Sequence, residues 1–514
     1  MTKRGRVRVG LALGGGGSRG SFQAGAIAAL VGDLGLRPDV LTGTSAGSLN
    51  AIVLAHARTP DEYPEMVERL LATWAGLRSE SDMYVPRSWL VDLTPGLRRS
   101  AMEIAAGRLS VRSVLEVARS ARGVPRAVRE FRAAGDSLYS LAPIERRVRA
   151  ELEPDRVRAT HAAVRLSLVA LESGALRWVG ADGSIYEADA IRPATGGPVD
   201  IVDALLASAA FAPAFPPRRL AGETYVDGGF RTIIPVRAAR ALGAGPIVAI
   251  ACARPGSGRA RSMAGADVLR VAMRATSLTL AEVVSRDVED LARGPGLLVD
   301  PTVEVHGFLE VDPGRIAIDV DLGRMVAAER VAAIGGLDRL LAARDPGDPA
   351  VVDADGLAAS AVLTEAITRL RLDAWDAEER LAEGRPKAAA DTALRGVRAR
   401  KWLIRLAVAA RAACPGPMPP HADAWSGSFE AHLPRLVVRG PWSSLSASNG
   451  GPVPGAELAT FVPDPFVLVV RGSGERWLVA DGRRRPLRTP DAAGSDAHLT
   501  VETDPVVAAL VPDA

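Results

Sequence analysis

Gly43-Thr44-Ser45-Ala46-Gly47 is the most informative stretch of this 514-residue chain. It follows a short apolar run at 38–42 and opens into a helical pattern at 46–54. Strand, sharp turn and helix form the setting in which G-x-S-x-G becomes a nucleophile elbow. Flanking glycines let strand and helix approach closely, and the helix N-terminus favours developing negative charge. The pentapeptide alone is equally typical of an ordinary helix start, so two further stretches are needed to interpret it.

The first of these is the glycine loop Gly14-Gly15-Gly16-Gly17-Ser18-Arg19-Gly20, between a predicted buried strand at 7–13 and a helical pattern at 22–30. Such a loop turns several backbone N–H groups toward an anion. Its glycines at 15, 17 and 20 also fit the G-x-G-x-x-G loop of dinucleotide-binding proteins. That fold places an acidic residue about 20 positions later, at the end of a second strand. Asp39 precedes its strand instead, which disfavours a dinucleotide site.

The second is a predicted strand at 223–226 that runs into Asp227-Gly228-Gly229. A serine nucleophile needs a base, and the usual base is histidine. The chain has six, namely His56, His161, His306, His421, His432 and His498. His56 follows the elbow helix on the wrong side, whereas His306 comes late enough in the chain for a Ser-Asp-His order. Partial burial of Asp227 would raise its pKa and make the carboxylate a better base. The residues themselves leave both candidates open.

Composition limits the class of protein. The length and the 48% hydrophobic content predict a large core and more than one domain. Net charge is only +3, and arginines are spread along the chain, which argues against a nucleic-acid partner. Two distant cysteines, Cys252 and Cys414, predict a reducing compartment without disulfides or a metal site. No apolar run reaches the length of a membrane span, and the basic N-terminus lacks a cleavage site, so we expect a cytoplasmic protein.

Three regions are predicted along the chain. Strands and helices alternate up to about residue 345, with a last helix at 322–344, which predicts a mainly parallel sheet covered by helices on both faces. An arginine-rich amphipathic segment at 97–132 is interpreted as a solvated helical face in preference to a membrane-docking one. An Asp/Pro/Gly cluster at 344–349 predicts a boundary. The expected domains are therefore 1–345, a helical extension at 346–415 and a β-rich region of unassigned role at 416–514.

Taken together, these motifs resemble the patatin-like phospholipase family. Gly14–Gly20 is similar to that family's glycine-rich oxyanion loop, Gly43–Gly47 to its elbow, and Asp227–Gly229 to its D-G-[AG] element. The segment 207–217 also resembles the stretch before the D-G-[AG] element in bacterial members, and 139–143 resembles the short stretch before the family's middle strands. The elements follow one another in the family's order, and the resemblance covers about residues 7–345.

The resemblance implies a patatin-like fold and a Ser-Asp dyad that hydrolyses acyl esters of phospholipids or other lipids without a metal or cofactor. Ser45 is then the nucleophile and Asp227 the general base and later the acid. The amides of Gly15, Gly16 and Gly17 are expected to form the oxyanion hole, supported by the remaining motif residues Gly14, Arg19, Gly20, Gly43, Gly47, Gly228 and Gly229. One position departs from the family: Ile233 stands where an Asn is frequent, two residues before a proline. The loss of a polar contact there is expected to loosen the Asp227 loop.

Two alternatives to lipid hydrolysis stay open at this stage. The same dyad would serve an esterase or thioesterase that acts on soluble acyl substrates. A different class of function is a regulated membrane- or partner-binding protein on a patatin scaffold, in which arginine-bearing helices at 87–149 and 363–411 make peripheral contact with a membrane. An intact Ser45/Asp227 pair favours an enzyme over the binding protein.

Overall fold

The computed structural model describes residues 8–88, 137–256, 263, 268–343, 354–382, 387–426, 466–480, 483–487 and 499–513. Two predicted features lie outside these ranges, the arginine-rich segment at 97–132 and the boundary at 344–349. Two of the six histidines, His432 and His498, also lie outside them.

Most of the strands are short, and those predicted at 7–13 and 223–226 are among them. In chain order they are β1 (Arg8–Leu13), β2 (Val40–Gly43), β3 (Val85–Pro86), β4 (Tyr139–Ser140), β5 (Ala163–Ala170), β6 (Leu176–Val179), β7 (Ile185–Tyr186), β8 (Arg218–Leu220), β9 (Glu223–Asp227), β10 (Ala244–Ile250), β11 (Gly296–Val299), β12 (Phe466–Val470), β13 (Arg476–Ala480), β14 (Arg483–Pro486) and β15 (Leu499–Thr503).

The helices cover the sheets. In chain order they are α1 (Gly20–Ile27), α2 (Ala46–Leu54), α3 (Tyr63–Ala75), α4 (Ala142–Glu151), α5 (Pro154–Arg158), α6 (Ile201–Ser208), α7 (Val236–Ala241), α8 (Val268–Ala292), α9 (Pro313–Ala333), α10 (Leu337–Ala342), α11 (Ala354–Ala382), α12 (Lys387–Ala412) and α13 (Pro505–Leu510).

Nine strands within the described residues form the main sheet, in the order β11-β10-β1-β2-β5-β6-β7, with β9 also paired to β5 and β8 to β9. The five strands from β11 to β5 are parallel, and the others are antiparallel. Five of the six residues of β1 are buried because helices cover both faces of the sheet. The predicted fold class, a mainly parallel α/β sheet with a helical extension and a small C-terminal β sheet, is confirmed.

The pairing of β5 brings two distant parts of the chain together. Its residue Leu166 pairs with Gly43 on one side and with Val179 of β6 on the other. Two residues further along, Leu168 pairs with Asp227 on the side opposite β6. Strand β9 therefore continues the line of β2 beyond its carboxyl end, and Asp227 lies where the chain leaves β2 for the elbow.

The helix predicted at 322–344 is two helices, and it begins earlier than the sequence pattern indicated. Asp312 caps α9, since its carboxylate accepts a hydrogen bond from the Arg315 amide at 2.7 Å, and Pro313 occupies the first turn. The break that follows contains Gly335 and Gly336, both with positive φ (81° and 104°). This conformation suits glycine and ends the helix before α10.

Helices α1 and α9 pack with their backbones in contact. A Cβ on Gly25 would collide with the Val320 carbonyl, and a Cβ on Gly323 would collide with the Phe22 carbonyl. Only glycine allows this approach, so α9 is held against the helix that follows the glycine loop.

The helical extension packs on α9 through buried ion pairs. Arg371 of α11 lies 2.8 Å from Asp321, and its guanidinium stacks on the Trp425 ring at 3.9 Å. Arg411 of α12 lies 3.0 Å from Glu329. The apolar core also runs without a break from the main sheet into α11, α12 and the β12–β15 sheet. Arg371 and Arg411 are therefore interior residues and do not contribute to an exposed basic helical face. The division of the chain at 345 and 415 stays a prediction.

We predict that the ion pair of Arg371 is essential for stability, whereas a neighbouring exposed pair is not. Replacing Arg371 by Met removes the buried partner of Asp321 and leaves the half-exposed His421, 2.8 Å away, which should lower the free energy of unfolding by about 3 kcal/mol. Arg369, two residues away, pairs with Glu365 at the surface, so Arg369→Met should cost less than about 1 kcal/mol. Urea unfolding of both variants measures the difference, and equal losses would contradict the prediction.

Candidate active site

Ser45 occupies a strained turn between β2 and α2. Its φ is 53° and its ψ is −123°, a combination that costs free energy in any residue with a Cβ and is concentrated at functional sites. The two glycines of the elbow are required sterically. A Cβ on Gly43 would lie 2.6 Å from the Gly47 carbonyl oxygen, and a Cβ on Gly47 would collide with the Leu13 carbonyl. The predicted strand, sharp turn and helix are therefore present, and the role of Ser45 as nucleophile stays a prediction.

Asp227 is buried at the end of β9, with 1% of its surface exposed. Its Oδ1 accepts a hydrogen bond from the Gly229 amide at 2.7 Å, while Oδ2 has no hydrogen-bond partner within the described residues. The Ser45 hydroxyl is close enough to lower the pKa of the carboxyl, but the two side chains form no hydrogen bond of normal length. Catalytic hydrogen bonds are frequently long in free enzymes.

Burial is the main influence on the pKa of Asp227. It raises this pKa to about 7, against the opposing effects of the Ser45 hydroxyl and the Gly229 amide. The turn that holds the carboxyl is tight, since a Cβ on Gly228 would collide with the Ser167 side chain. The result is a carboxylate with a free oxygen beside a serine hydroxyl and a pKa matched to neutral pH.

The glycine loop lies against the elbow, and its amides divide into two groups. The Gly14 amide donates to the Ile250 carbonyl at 2.9 Å, and the Gly15 amide donates to the Ile233 carbonyl at 3.0 Å. No backbone acceptor for the Gly16 and Gly17 amides is present among the described residues. A Cβ on Gly15 would lie 3.3 Å from the Ser45 Cβ. Gly15 is therefore adjacent to Ser45, but its amide is already hydrogen-bonded, whereas an oxyanion donor is expected to have a free N–H group.

The remaining predicted motif residues support the loop from outside. Gly20 packs on the Trp74 ring, which a Cβ would approach to 2.7 Å. Arg19 points away from Ser45, since its Nε donates to the His306 carbonyl at 3.1 Å and its guanidinium pairs with Glu304. Arg19 thus fastens the loop to the segment before α9.

Three polar residues that the sequence interpretation missed hold the elbow and the loop. Ser208 of α6 accepts from the Ser45 amide at 3.2 Å. Gln23 of α1 donates to the Gly14 carbonyl at 2.7 Å, and Asn50 of α2 donates to Gln23 at 3.0 Å. Polar side chains on helices that are otherwise apolar were the available signal, since a buried polar group requires a partner.

His306 is not positioned as a catalytic base for Ser45. It is buried, and its Nε2 lies 3.0 Å from the Ser21 hydroxyl and 3.2 Å from Asp319. A triad places the carboxylate on the other ring nitrogen, whereas here both partners meet Nε2. Ser21 is also fully buried and donates to Asp319 at 2.6 Å. This cluster joins α1 to α9.

Two other candidates from the sequence are also structural. His56 accepts from the Glu153 amide at 3.1 Å and its Nδ1 lies 2.9 Å from the Ile52 carbonyl, at the end of α2 remote from Ser45. The Asp39 carboxylate accepts from the Val9 amide at 3.0 Å. That contact lies at the amino-terminal ends of β1 and β2, whereas the glycine loop follows the carboxyl end of β1. Asp39 therefore does not belong to a dinucleotide site.

The described residues offer neither a metal site nor a membrane span. They contain no group of three or more His, Cys, Asp or Glu side chains placed to hold a metal ion. None of their helices is long and apolar enough to cross a membrane.

The elbow, the glycine loop and the Asp-Gly-Gly turn form one site within residues 11–240, and the family described as "Patatin-like phospholipase" matches these residues. This part of the chain belongs to the patatin-like phospholipase family. Membership implies a serine acyl hydrolase. The patatin-like domain includes β1 to β9, and thus both Ser45 and Asp227.

Two solved structures are similar to this chain at low sequence identity. VipD from Legionella pneumophila is 14% identical, with 89% of this chain and 94% of that chain covered and a TM-score of 0.28. ExoU from Pseudomonas aeruginosa, solved in complex with SpcU, is 15% identical, with 88% and 76% covered and a TM-score of 0.21. Values this low carry no argument about activity. No curated protein matches the chain.

If Asp227 is the base for Ser45, its pKa predicts how hydrolysis depends on pH. The carboxyl would have to be ionised to accept the Ser45 proton, and its pKa in the folded protein is about 7. Below this pH the protonated form accumulates and cannot act as a base, so kcat/KM on a short-chain ester should fall about tenfold for each pH unit. A pH profile of kcat/KM measures this effect, and a value that is unchanged down to pH 5 would contradict it.

Proposed function

We propose that this protein is a lipid acyl hydrolase of the phospholipase A type, with Ser45 as nucleophile and Asp227 as general base and then acid. The observation that carries the proposal is the unpaired Oδ2 of a buried carboxylate beside a serine in a positive-φ turn. Asp227 takes the proton of the Ser45 hydroxyl as the serine oxygen attacks the ester carbonyl. The leaving alcohol then receives that proton, and a water activated by Asp227 releases the fatty acid from Ser45.

The oxyanion of the tetrahedral intermediate requires donors that are free before the reaction. The Gly16 and Gly17 amides meet this requirement, and we assign the oxyanion hole to them. Gly17 begins a helical turn that continues into α1, so its amide also lies at the positive end of a helix dipole. Gly15 has a different role in this proposal, because its bond to Ile233 fixes the loop beside Ser45.

Three phenylalanines near the catalytic segments favour an apolar acyl group as substrate. Phe230 follows the Asp-Gly-Gly turn, Phe308 packs on Gly17, and Phe211 follows Ala210, whose carbonyl accepts from the Asp227 amide at 3.1 Å. The Phe211 ring stacks on Phe230 at 5.1 Å and lies 5.3 Å from Phe308. All three are partly exposed. An aromatic cluster contributed by these segments suits a fatty acyl chain better than a small soluble acyl group.

The dyad predicts that Ser45→Ala and Asp227→Asn each lower ester hydrolysis by about 10³-fold or more, and that the double variant is no slower. Both residues act in one step, so their losses should not add. Hydrolysis of phospholipid and of p-nitrophenyl esters measures the rates, and His306→Ala provides the contrast, with a folded, active protein expected.

Unfolding measurements separate lost chemistry from lost structure in these variants. In the unfolded chain the Asp227 carboxyl titrates at about 4, so stability falls as the pH rises from about 4 to about 7. Asn cannot titrate, and Asp227→Asn should be at least as stable as the parent protein at pH 8. A folded variant with near-parental activity would rule out the dyad.

The phenylalanine cluster predicts selectivity for long acyl chains. Phe211→Ala removes one apolar wall and should lower kcat/KM for an octanoyl ester about tenfold, while the rate with an acetyl ester stays within about twofold. Phe211→Leu keeps the apolar surface and serves as the matched control. A chain-length series of p-nitrophenyl esters measures these values, and an equal loss for both esters would argue against an acyl-chain contact.

A further inference from the structure

The segment 232–234, which follows the Asp-Gly-Gly turn, contacts every part of the candidate site. The Thr232 carbonyl accepts from the Thr44 hydroxyl at 3.2 Å, next to the nucleophile. The Ile233 carbonyl accepts from the Gly15 amide at 3.0 Å, and the Thr232 amide donates to the Gly228 carbonyl at 3.0 Å. The position of this short segment therefore determines how the elbow, the glycine loop and the Asp227 turn are placed relative to one another.

The segment belongs to no helix or strand, and one side chain accepts hydrogen bonds from two of its amides. Asp287 of α8 accepts hydrogen bonds on Oδ2 from the Ile233 amide at 2.7 Å and from the Ile234 amide at 2.8 Å. The Thr232 hydroxyl lies 3.3 Å from the same oxygen. Hydrogen bonds from amides to a carboxylate are about twice as strong as those between neutral groups. Two adjacent amides without backbone acceptors are thus satisfied by one buried anion.

Asp287 also explains why Ile233 is tolerated. The family resemblance implied that a polar contact would be lost at this position and that the Asp227 loop would loosen. Here the polar contact comes from α8, 54 residues later in the chain, and it binds the backbone amide. The Ile233 side chain is therefore not needed as a hydrogen-bonding group, and it packs with the apolar residues around Ile234.

A residue with only a packing role at this place would be apolar, because burying an ionised carboxyl is costly. Asp287 is 3% exposed, and burial raises its pKa to about 6 in opposition to the Ile234 and Ile233 amides. The carboxyl is retained where its burial is unfavourable and where its bonds order a loop of the site.

We propose that Asp287 is the positioning residue of this active site: its carboxylate fixes segment 232–234 and, through it, the Gly15 loop and the Ser45 elbow relative to Asp227. The catalytic part of this inference rests on the proposed function. The ordering of the segment is a separate physical claim, and it is tested without turnover.

The kinetic test compares Asp287 with Asp290 on the same helix. Asp287→Ala should lower kcat on a short-chain ester about 10²-fold, as expected for a displacement of about 1 Å in the reacting groups, with KM within about twofold. Asp287→Asn should recover most of this loss, since its amide oxygen can accept both backbone hydrogen bonds. Asp290 is equally buried but pairs with Arg237 and Arg293, so Asp290→Ala should leave kcat unchanged.

Hydrogen exchange tests the contact itself. In the parent protein the Ile233 and Ile234 amides should exchange slowly although they lie outside helices and strands. In Asp287→Ala, exchange should become faster in peptides that cover 230–236 and 14–17, and the Asp290→Ala control should match the parent protein. This outcome does not depend on activity, so the two claims can fail separately. An active Ser45→Ala variant would refute the dyad, while slow exchange of the Ile233 and Ile234 amides would still support the contact with Asp287.

Two results would overturn the proposal. One is fast exchange of the Ile233 and Ile234 amides in the parent protein, which needs no variant and decides the question if Asp287→Ala fails to fold. The other is a folded Asp287→Ala variant with the kcat of the parent protein. An equal loss of kcat in Asp287→Ala and Asp290→Ala would assign the effect to general destabilisation of α8 and would also refute it.

Discussion

The close approach of the elbow to β1 is the constraint on which the candidate site depends. Gly47 lies so near the Leu13 carbonyl that any Cβ would collide with it, so α2 starts directly against the end of β1. The glycine loop leaves β1 at that same point, which places Gly15 beside Ser45. Asp227 lies close to the elbow because β9 pairs with β5 just beyond the carboxyl end of β2, on the same side of β5. The register of the strands and the absence of a Cβ at the glycines thus bring together three motifs that are distant in the sequence.

Loops without regular secondary structure need other partners for their backbone groups, and here buried polar side chains provide them. Ser208 binds the Ser45 amide, Gln23 binds the Gly14 carbonyl, and Asp287 binds the Ile233 and Ile234 amides. Each of these three side chains projects from a helix. The site therefore combines strained, precisely shaped turns with rigid supports, an arrangement that keeps the Asp227 carboxyl buried and one of its oxygens unpaired.

Helix α9 connects the patatin-like domain with the helices that follow it. Asp319 faces Ser21 and His306 beside the glycine loop, Asp321 pairs with Arg371 of α11, and Glu329 pairs with Arg411 of α12. Buried carboxylates thus occur along one helix, each compensated by a partner from a different part of the chain. Such pairs specify one arrangement of α9 and the extension, because any other arrangement would leave a charge unpaired in the interior.

The sequence alone determined the three motifs of the candidate site and the alternation of strands and helices. Each motif is a contiguous stretch whose glycines are required by local sterics, as Gly43 and Gly47 show around Ser45. Only the tertiary structure decided which neighbours complete them. It directed the Gly15 amide to Ile233, used His306 to join α1 and α9, and replaced the expected polar residue at 233 with Asp287. These outcomes depend on contacts between residues that are far apart in the chain, and no local pattern encodes which partner a buried polar group will meet.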